Sequence, residues 1–170
     1  MIIRQETKKD IKDVHALNEL AFGRPLEANI ADTLRNNCED MLSLVATENE
    51  KIVGHILFSP VEIEGTHGII KGMGLAPMAV LPNVQRQGIG TRLINKGIEE
   101  LRKLRCPFII VLGHHEYYSR IGFEIASLYG IKCQWEGIPD EAFMILWLDK
   151  SNAGHVSGLA KYREEFNEAV

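Results

Sequence analysis

Apolar residues recur along this chain with two spacings, one typical of helices and the other typical of strands. Helical spacing covers the stretches 8–22, 26–37 and 88–105. Shorter and more continuous apolar runs predict strands at 2–5, 42–48, 51–63, 69–81, 108–112 and 143–148. This order of elements predicts a mixed, twisted β-sheet of the α/β class with helices on both faces.

Short local signals delimit the N-terminal elements. Thr7 is expected to be the N-cap of the first helix, and Gly23-Arg24-Pro25 ends that helix. Asn49-Glu50 is a turn-forming pair and predicts a hairpin between two strands. The predicted inner positions of the first helix are Ile11, Val14, His15, Leu17, Leu20 and Ala21, and those of the second helix are Ile30, Ala31 and Leu34.

The C-terminal half combines one strongly amphipathic helix with short segments. Between residues 123 and 133 one or two short strands are expected, with a turn at Gly130, and 135–141 is a polar loop. The polar tail, 151–170, fits either an edge strand near 156–161 or a short helix over 163–168. The apolar face of the long helix is predicted to contain Ile89, Leu93, Ile94, Gly97, Ile98, Leu101 and Leu104.

Composition and charge narrow the class of protein. With 170 residues, 45% of them hydrophobic, the chain is expected to form a single domain over residues 1–170. A net charge of −4 and dispersed Lys and Arg residues argue against nucleic acid as a partner. Since no apolar run could span a bilayer and no signal peptide is recognisable, a cytoplasmic protein without a membrane partner is expected. The oligomeric state is left open, a homodimer included.

The cysteines indicate neither a metal site nor a disulfide framework. Cys38, Cys106 and Cys133 are far apart in the sequence and form no CxxC pair. None stands beside the His and acidic residues that would activate a nucleophilic thiol. We therefore expect ordinary thiols and no metal cofactor.

The stretch 83–92 carries the most specific chemical signal. Gly88 and Gly90 let a ligand approach the backbone closely, and amides at the start of the following helix can bind an anion. Arg86 and Arg92 can add charge-assisted contacts to phosphate oxygens. The pattern lacks the third glycine of a dinucleotide fingerprint and the Lys-Ser/Thr pair of a Walker loop. An ordinary surface turn is the alternative interpretation.

Pro77 adds a second signal in the strand that precedes this turn. A proline cannot donate a ladder hydrogen bond, so it marks a bulge or a place where neighbouring strands separate. Two separated central strands would leave a slot for an extended ligand.

Two motifs together resemble a known family. Gln85-Arg-Gln-Gly-Ile-Gly90 and Tyr118-Ser-Arg-Ile-Gly-Phe123, at this separation, resemble the signature motifs of the GNAT superfamily of N-acetyltransferases. The segments 74–82, 111–123 and 142–148 resemble in particular the bacterial branch of YhbS-like predicted acetyltransferases. The resemblance covers about residues 1–150. It implies the GNAT fold, in which the central strand pair is splayed.

The resemblance implies acetyl-CoA as the cofactor and acetyl donor. Backbone amides of residues 85–91 would hold the pyrophosphate, and the pantetheine arm would pair with residues 78–80 like an added strand. A backbone N–H at Met78 or Ala79 can serve the oxyanion that forms when an amine attacks a thioester. The implied cofactor-binding residues are Met78, Ala79, Val80, Gln85, Arg86, Gln87, Gly88, Ile89, Gly90 and Thr91.

The resemblance also assigns a general acid. Tyr118 would protonate the departing thiolate, whose conjugate acid has a pKa near ~8.5, whereas Tyr117 would point about 100° away around a helix. The family often places a carboxylate base on the central strand, but residues 75–77 of this chain are Leu, Ala and Pro. His114 and His115 are candidates for a proton relay, and a helix-capping or solvent-facing role is the alternative.

The acceptor is expected to be a primary amine on a small molecule or a peptide. In the resemblance its pocket is bounded by residues 22–27 and 135–141, where Glu27, Glu136, Asp140 and Glu141 would suit a cationic amine. Acidic loop residues that are only solvated are the alternative interpretation. The sequence thus predicts an N-acetyltransferase in which the amine attacks directly, without a covalent enzyme intermediate. A non-catalytic acyl-CoA-binding protein and a scaffold protein with the same fold are the alternatives.

Overall fold

The computed structural model describes residues 1–169, in which nine strands form a mixed sheet accompanied by four α-helices. None of these helices is long and apolar enough to cross a membrane. The helices are α1 (Ile11–Phe22), α2 (Leu26–Asn37), α3 (Ile89–Lys103) and α4 (His115–Ser119). The strands are β1 (Ile2–Gln5), β2 (Leu42–Glu48), β3 (Lys51–Gly65), β4 (Gly68–Val80), β5 (Phe108–Leu112), β6 (Glu124–Ile125), β7 (Ile131–Cys133), β8 (Phe143–Trp147) and β9 (Gly158–Lys161).

The strand order is β1-β2-β3-β4-β5-β8-β6, and β9 pairs with both β3 and β7. The chain divides into two compact units. The first unit contains Met1–Ser59, Ala76–Glu100 and Glu165–Ala169, and the second unit contains Pro60–Leu75 and Leu101–Glu164. The expectation of a single domain over residues 1–170 stays a prediction.

In the first unit, β1, β2 and the start of β3 form an antiparallel meander. Ile2 pairs with Thr47, and Leu42 pairs with Phe58. Asn49 and Glu50 have φ values of 48° and 65°, the left-handed conformation that a tight hairpin turn requires. The hairpin predicted at this pair of residues is confirmed.

The helices α1 and α3 cover opposite faces of the strands in the first unit. On one face, Val45 of β2 packs in a buried cluster with Val14 and Leu17 of α1. Side chains alternate along a strand, so the neighbouring pair of Ala46 and Gly54 lies on the other face. There α3 approaches so closely that a Cβ added to Gly54 would lie 2.9 Å from Leu93 Cδ1. The prediction of helices on both faces is confirmed.

In the second unit, β5 pairs in parallel with part of β4 and antiparallel with β8. Within residues 1–169 the parallel register runs from Met73–Ile109 to Leu75–Val111 and stops there. The strand β4 itself continues to Val80, and Pro77 comes shortly after the last pair. This register agrees with a central strand pair that separates near Pro77.

The tail contains both of the structures that the sequence left open. The strand β9 pairs antiparallel with β3 and parallel with β7, and Glu164–Phe166 forms a 3₁₀ turn. Because β9 has a partner on each side, it is not an edge strand.

Three local predictions are wrong. The residue before α1 is Asp10, and Thr7 donates its backbone N–H and its hydroxyl to Asp10 Oδ2 at 2.7 and 2.8 Å. Thr7 therefore forms a turn ahead of the helix because its donors bind the nearby carboxylate. Leu20 is 61% exposed at the edge of the apolar stripe of α1. Leu104 is 68% exposed because α3 ends one residue earlier, at Lys103.

Candidate active site

The turn between β4 and α3 presents backbone amides at the start of a helix. After β4, Pro82–Val84 forms a 3₁₀ turn, and α3 begins at Ile89. The N–H of Arg92 donates to the carbonyl of Gly88 at 3.1 Å, which makes Gly88 the N-cap residue. Ile89 and Gly90 come before that first helical bond, so their N–H groups have no helical acceptor and can bind an anion.

The conformation of this turn leaves space for a ligand. Gly88 has φ = +83°, and a Cβ built on it would meet no atom within 4 Å. Arg86 has φ = 63°, a region that non-glycine residues seldom adopt. Both residues are exposed, whereas the side chain of Ile89 is buried and anchors the helix start. An exposed basic turn on an anchored helix start is suited to binding an anion.

The end of β4 is held by the same turn. Gln85 Nε2 donates to the carbonyl of Val80 at 3.0 Å. Ala79 is buried in the cluster with α1, while Met78 and Val80 are half-buried. Backbone N–H and C=O groups of successive strand residues point to alternate edges, so a strand-like ligand beside β4 would hydrogen-bond to alternate residues of this segment.

In the second unit, Tyr118 is buried at the end of α4 and is 7% exposed. Its ring contacts those of Tyr117 and Phe123, with centroids 5.0 and 5.4 Å away. A Cβ added to Gly113 would lie 2.5 Å from Tyr118 Cε2, so the ring packs directly on that backbone. Burial raises the pKa of the Tyr118 phenol far above its usual value, and neighbouring Tyr117 adds to the effect. The phenol is therefore protonated and able to donate.

The residues around Tyr118 occupy different environments. The ring of Tyr117 is half-buried and lies at 85° to that of Tyr118. His114 is exposed and stands at the N-cap position of α4, although its side chain makes no capping hydrogen bond. His115 is half-buried, and its buried Nδ1 has no hydrogen-bond partner among residues 1–169.

The two glutamates predicted for the acceptor differ in availability. Glu27, in the first unit, has a side chain that is 12% exposed and accepts from Arg24 Nε at 3.0 Å and from Nη2 at 2.5 Å. These hydrogen bonds raise the pKa of Arg24. Glu136, in the second unit, is exposed. A cationic acceptor would have to replace Arg24 at Glu27, whereas the carboxylate of Glu136 is open to solvent.

Sequence reasoning missed a buried polar group in the first unit. His55 and Asn18 are fully buried, and Ser43 is 8% exposed. The available signals were a histidine inside the apolar strand 52–58 and an asparagine one helical turn after Val14. A cavity of about 470 Å³ lies beside this group, with Glu6, Arg35 and Ser43 in its wall, and none of the predicted site residues lines it. Within the described residues no cluster of His, Cys, Asp and Glu side chains could hold a metal ion.

Known proteins resemble this chain in sequence and in fold. Residues 2–126 match the family model described as acetyltransferase (GNAT) domain. The chain is 33% identical over 168 residues to the uncharacterized N-acetyltransferase YhbS of Escherichia coli strain K12, which covers 98% of this chain and 99% of that protein. The crystal structure of Escherichia coli YhbS in complex with CoA has a TM-score of 0.92 at 33% identity, covering 98% of this chain and 91% of that one. A GNAT family acetyltransferase from Brucella melitensis in complex with acetyl-CoA has a TM-score of 0.79 at 32% identity, covering 98% and 97%.

Proposed function

Because this chain belongs to the GNAT acetyltransferase family, we propose that it transfers an acetyl group from acetyl-CoA to a primary amine. One observation carries the proposal: the N–H groups of Ile89 and Gly90, at the start of α3, directly follow Gly88. Gly88 has φ = +83° and open space around it, so a ligand can approach the backbone there. The complexes of relatives with CoA and acetyl-CoA support acetyl-CoA as the donor.

Backbone groups of the first unit bind the donor in this proposal. Acetyl-CoA supplies a thioester whose carbonyl carbon a free amine can attack. The amides of residues 85–91 bind the pyrophosphate, and the exposed Arg86 and Arg92 add charge-assisted contacts. The backbone of residues 78–80 aligns the pantetheine arm. The N–H of Met78 or Ala79 donates to the thioester oxygen as negative charge develops there.

Tyr118 is the proposed general acid. Its place in the Tyr118-Ser-Arg-Ile-Gly-Phe123 motif and the protonated state that burial imposes support this role. Residues 75–80 contain no carboxylate that could act as a base. In this proposal the acceptor binds as an ammonium ion, loses a proton to water and attacks the thioester as the free amine.

For the acceptor we propose an amine that is protonated in bulk solution and binds near acidic side chains. Glu136 is the better placed of the two predicted glutamates because it is exposed, whereas Glu27 is paired with Arg24. The acceptor is a small molecule or a peptide amine, and the protein is proposed to work in the cytoplasm.

Two measurements test the proposed function. Thermal unfolding with and without CoA should show a higher Tm with CoA, because a ligand that binds only the folded chain stabilises it. Release of free thiol from acetyl-CoA should then depend on the amine that is added. Binding of CoA without amine-dependent thiol release would favour the non-catalytic acyl-CoA-binding protein, and failure to bind either CoA species would favour a scaffold.

A further inference from the structure

A chain of buried hydrogen bonds crosses the first unit, and the proposed reaction does not use it. Asn18 of α1 and His55 of β3 are fully buried, and Ser43 of β2 is 8% exposed. Glu6 and Arg35 have side chains that are 6% and 10% exposed. The hydrogen-bond chain, defined as Asn18, His55, Ser43, Glu6 and Arg35, thus joins two helices, two strands and the segment after β1.

The direction of each hydrogen bond follows from the chemistry of its atoms. Asn18 Nδ2 donates to the carbonyl of Val14 at 2.9 Å and also lies 3.0 Å from His55 Nδ1. Since an amide nitrogen is only a donor, His55 Nδ1 accepts and Nε2 carries the ring proton. Nε2 lies 3.0 Å from Ser43 Oγ, and the Ser43 hydroxyl donates to Glu6 Oε2. Glu6 Oε1 in turn accepts from Arg35 Nε at 2.8 Å.

His55 is a neutral hydrogen-bonding group in this chain. Burial lowers the pKa of His55 to about 3, and the positive charge of Arg35 adds to the effect. A ring with so low a pKa does not take up a second proton at neutral pH, so His55 is not a base for the acceptor amine.

The hydrogen-bond chain lies next to the segment of β4 that carries Met78 and Ala79. The N–H of Leu81 donates to the carbonyl of Val53 at 3.0 Å. Since β3 and β4 are neighbours in the sheet, the strand that carries His55 lies directly beside the segment that carries Met78 and Ala79. Both side chains face α1, since His55 bonds Asn18 and Ala79 packs against Val14 and Leu17.

Stability alone does not account for these polar residues. Asn18 Oδ1 and Arg35 Nη2 are buried and have no hydrogen-bond partner among residues 1–169. Unsatisfied buried groups are costly, and apolar side chains of similar size often make a core as stable or more stable. Apolar packing is not directional, however, whereas the hydrogen bond between Asn18 and His55 permits one position of α1 on β3.

We infer that Asn18 and His55 are positioning residues for the acetyl transfer: their hydrogen bond holds α1 on β3 and so fixes the backbone of Met78 and Ala79. This role rests on the proposed function, in which an N–H of that segment donates to the thioester oxygen. A small displacement of such a donor is enough to slow a reaction strongly.

The test compares Asn18→Leu with Leu17→Met, a volume-conserving change in the neighbouring apolar cluster that leaves the hydrogen bonds intact. Amide hydrogen exchange at Met78 and Ala79 is measured together with the Tm, the CoA-induced rise in Tm and kcat. For Asn18→Leu we expect a lower Tm, because the buried Nδ1 of His55 loses its donor. Exchange at both amides should be faster by ~10-fold or more, beyond any change at the amides of β5, and kcat should fall by a similar factor. The response to CoA should persist because the turn at Gly88 is unchanged.

If Asn18→Leu does not fold, His55→Leu provides the same test. Leucine offers no atom that could accept from Asn18, and Ser43 keeps its hydrogen bond to Glu6. Unchanged exchange at Met78 and Ala79 in a folded variant would overturn the inference, and so would equally faster exchange in Leu17→Met. If the wild-type protein acetylates no amine, the proposed function fails, while the exchange rates still show whether Asn18 and His55 fix this backbone.

Discussion

At the scale of single residues, backbone conformation matters more than charge in the turn before α3. Arg86 and Gly88 both have positive φ, and the first amides of α3 follow them directly. The two arginines of this stretch, Arg86 and Arg92, are exposed, where water and salt weaken their contacts. We therefore expect CoA binding to depend on the shape of the turn more than on either charge.

Gly88→Val should abolish the stabilisation of the protein by CoA. Valine adds a branched side chain where the structure has open space and the ligand would approach. The matched control is Gly154→Val, since Gly154 has φ = +81° and open space as well. Arg86→Ala should weaken CoA binding by only ~1–3 kcal/mol, the usual value of a charge-assisted hydrogen bond. The rise in Tm that CoA causes is measured for all three variants. An equal loss of this rise in both valine variants would contradict the assignment of the turn.

Tyr118→Phe should lower kcat by ~10²–10⁴ while CoA binding and folding persist, because only the donating hydroxyl is lost. Since burial raises the pKa of Tyr118, the wild-type phenol should stay protonated beyond pH ~10, and kcat should show no loss from its ionisation between pH 7 and 10. Steady-state kinetics across this range provide the measurement. Tyr117→Phe is the control and should change kcat little. The opposite order of effects would move the acid role to Tyr117.

At the scale of elements, the start of α1 depends on one ion pair. Asp10 accepts from Arg4 Nη1 at 2.7 Å and Nη2 at 2.9 Å, in addition to the two bonds from Thr7. The hydrogen bonds from Arg4, and then those from Thr7, lower the pKa of Asp10 well below its usual range although burial opposes them. The carboxylate thereby ties β1 to the beginning of α1.

Asp10→Asn should reduce the free energy of unfolding at pH 7 by ~1–3 kcal/mol, because it removes hydrogen bonds to a charged group. The folded pKa is depressed, so the contribution of the wild-type carboxylate is present above the unfolded pKa of ~3.9 and is lost as pH falls below it. Urea unfolding at pH 7, 5 and 3 measures the free energy of unfolding of the wild type and of Asp10→Asn. The difference between these two free energies should shrink at pH 3. Asp13→Asn, an exposed change in the first turn of α1, should stay within ~0.5 kcal/mol of the wild type. A difference for Asp10→Asn that is independent of pH would contradict the assignment.

Most helices and strands could be predicted from the sequence because their apolar spacing is regular. The second helix was expected at 26–37 and is found at Leu26–Asn37, and the strand at 108–112 is found at Phe108–Leu112. The tail could not be resolved in this way. Its strand, β9, is held by pairing with β3 and β7, which are distant in sequence and give no local signal.

At the scale of the whole molecule, the buried His55 makes the protein sensitive to acid. Its folded pKa is lowered to about 3, whereas an unfolded histidine takes up a proton near pH ~6.5. Below that pH the unfolded chain binds one more proton at this position than the folded chain does. The free energy of unfolding should therefore fall by up to ~1.4 kcal/mol per pH unit from this residue.

The variant His55→Gln isolates this contribution. Its free energy of unfolding should fall less steeply than that of the wild type between pH 6.5 and 4, as measured by urea unfolding. If the free energy of unfolding falls equally steeply with pH in both proteins, the pKa of His55 is not changed by folding.

The two glutamates proposed for the acceptor, Glu27 in the first unit and Glu136 in the second, can be tested separately. Glu136→Gln should raise the KM for a cationic amine and leave the KM for acetyl-CoA nearly unchanged, since it removes a charge that only the acceptor meets. Glu27→Gln should also lower the Tm because it breaks the ion pair with Arg24. Steady-state kinetics in which each substrate is varied in turn measure the two KM values. Equal changes in both KM values would contradict the prediction.

The amino-acid sequence alone was enough to identify the family, the class of fold and a candidate anion-binding turn. These follow from short motifs and regular spacings, in which each residue acts through its own backbone or its near neighbours, as Gly88 does at the start of α3. Which polar residues are buried, and which atoms they bond, depends instead on how distant elements pack in the folded chain. Asn18, Ser43 and His55 lie on separate elements, and no local pattern states that they form one hydrogen-bond chain. The pairing of Glu27 with Arg24 and the burial that keeps Tyr118 protonated likewise depend on how the folded chain excludes water.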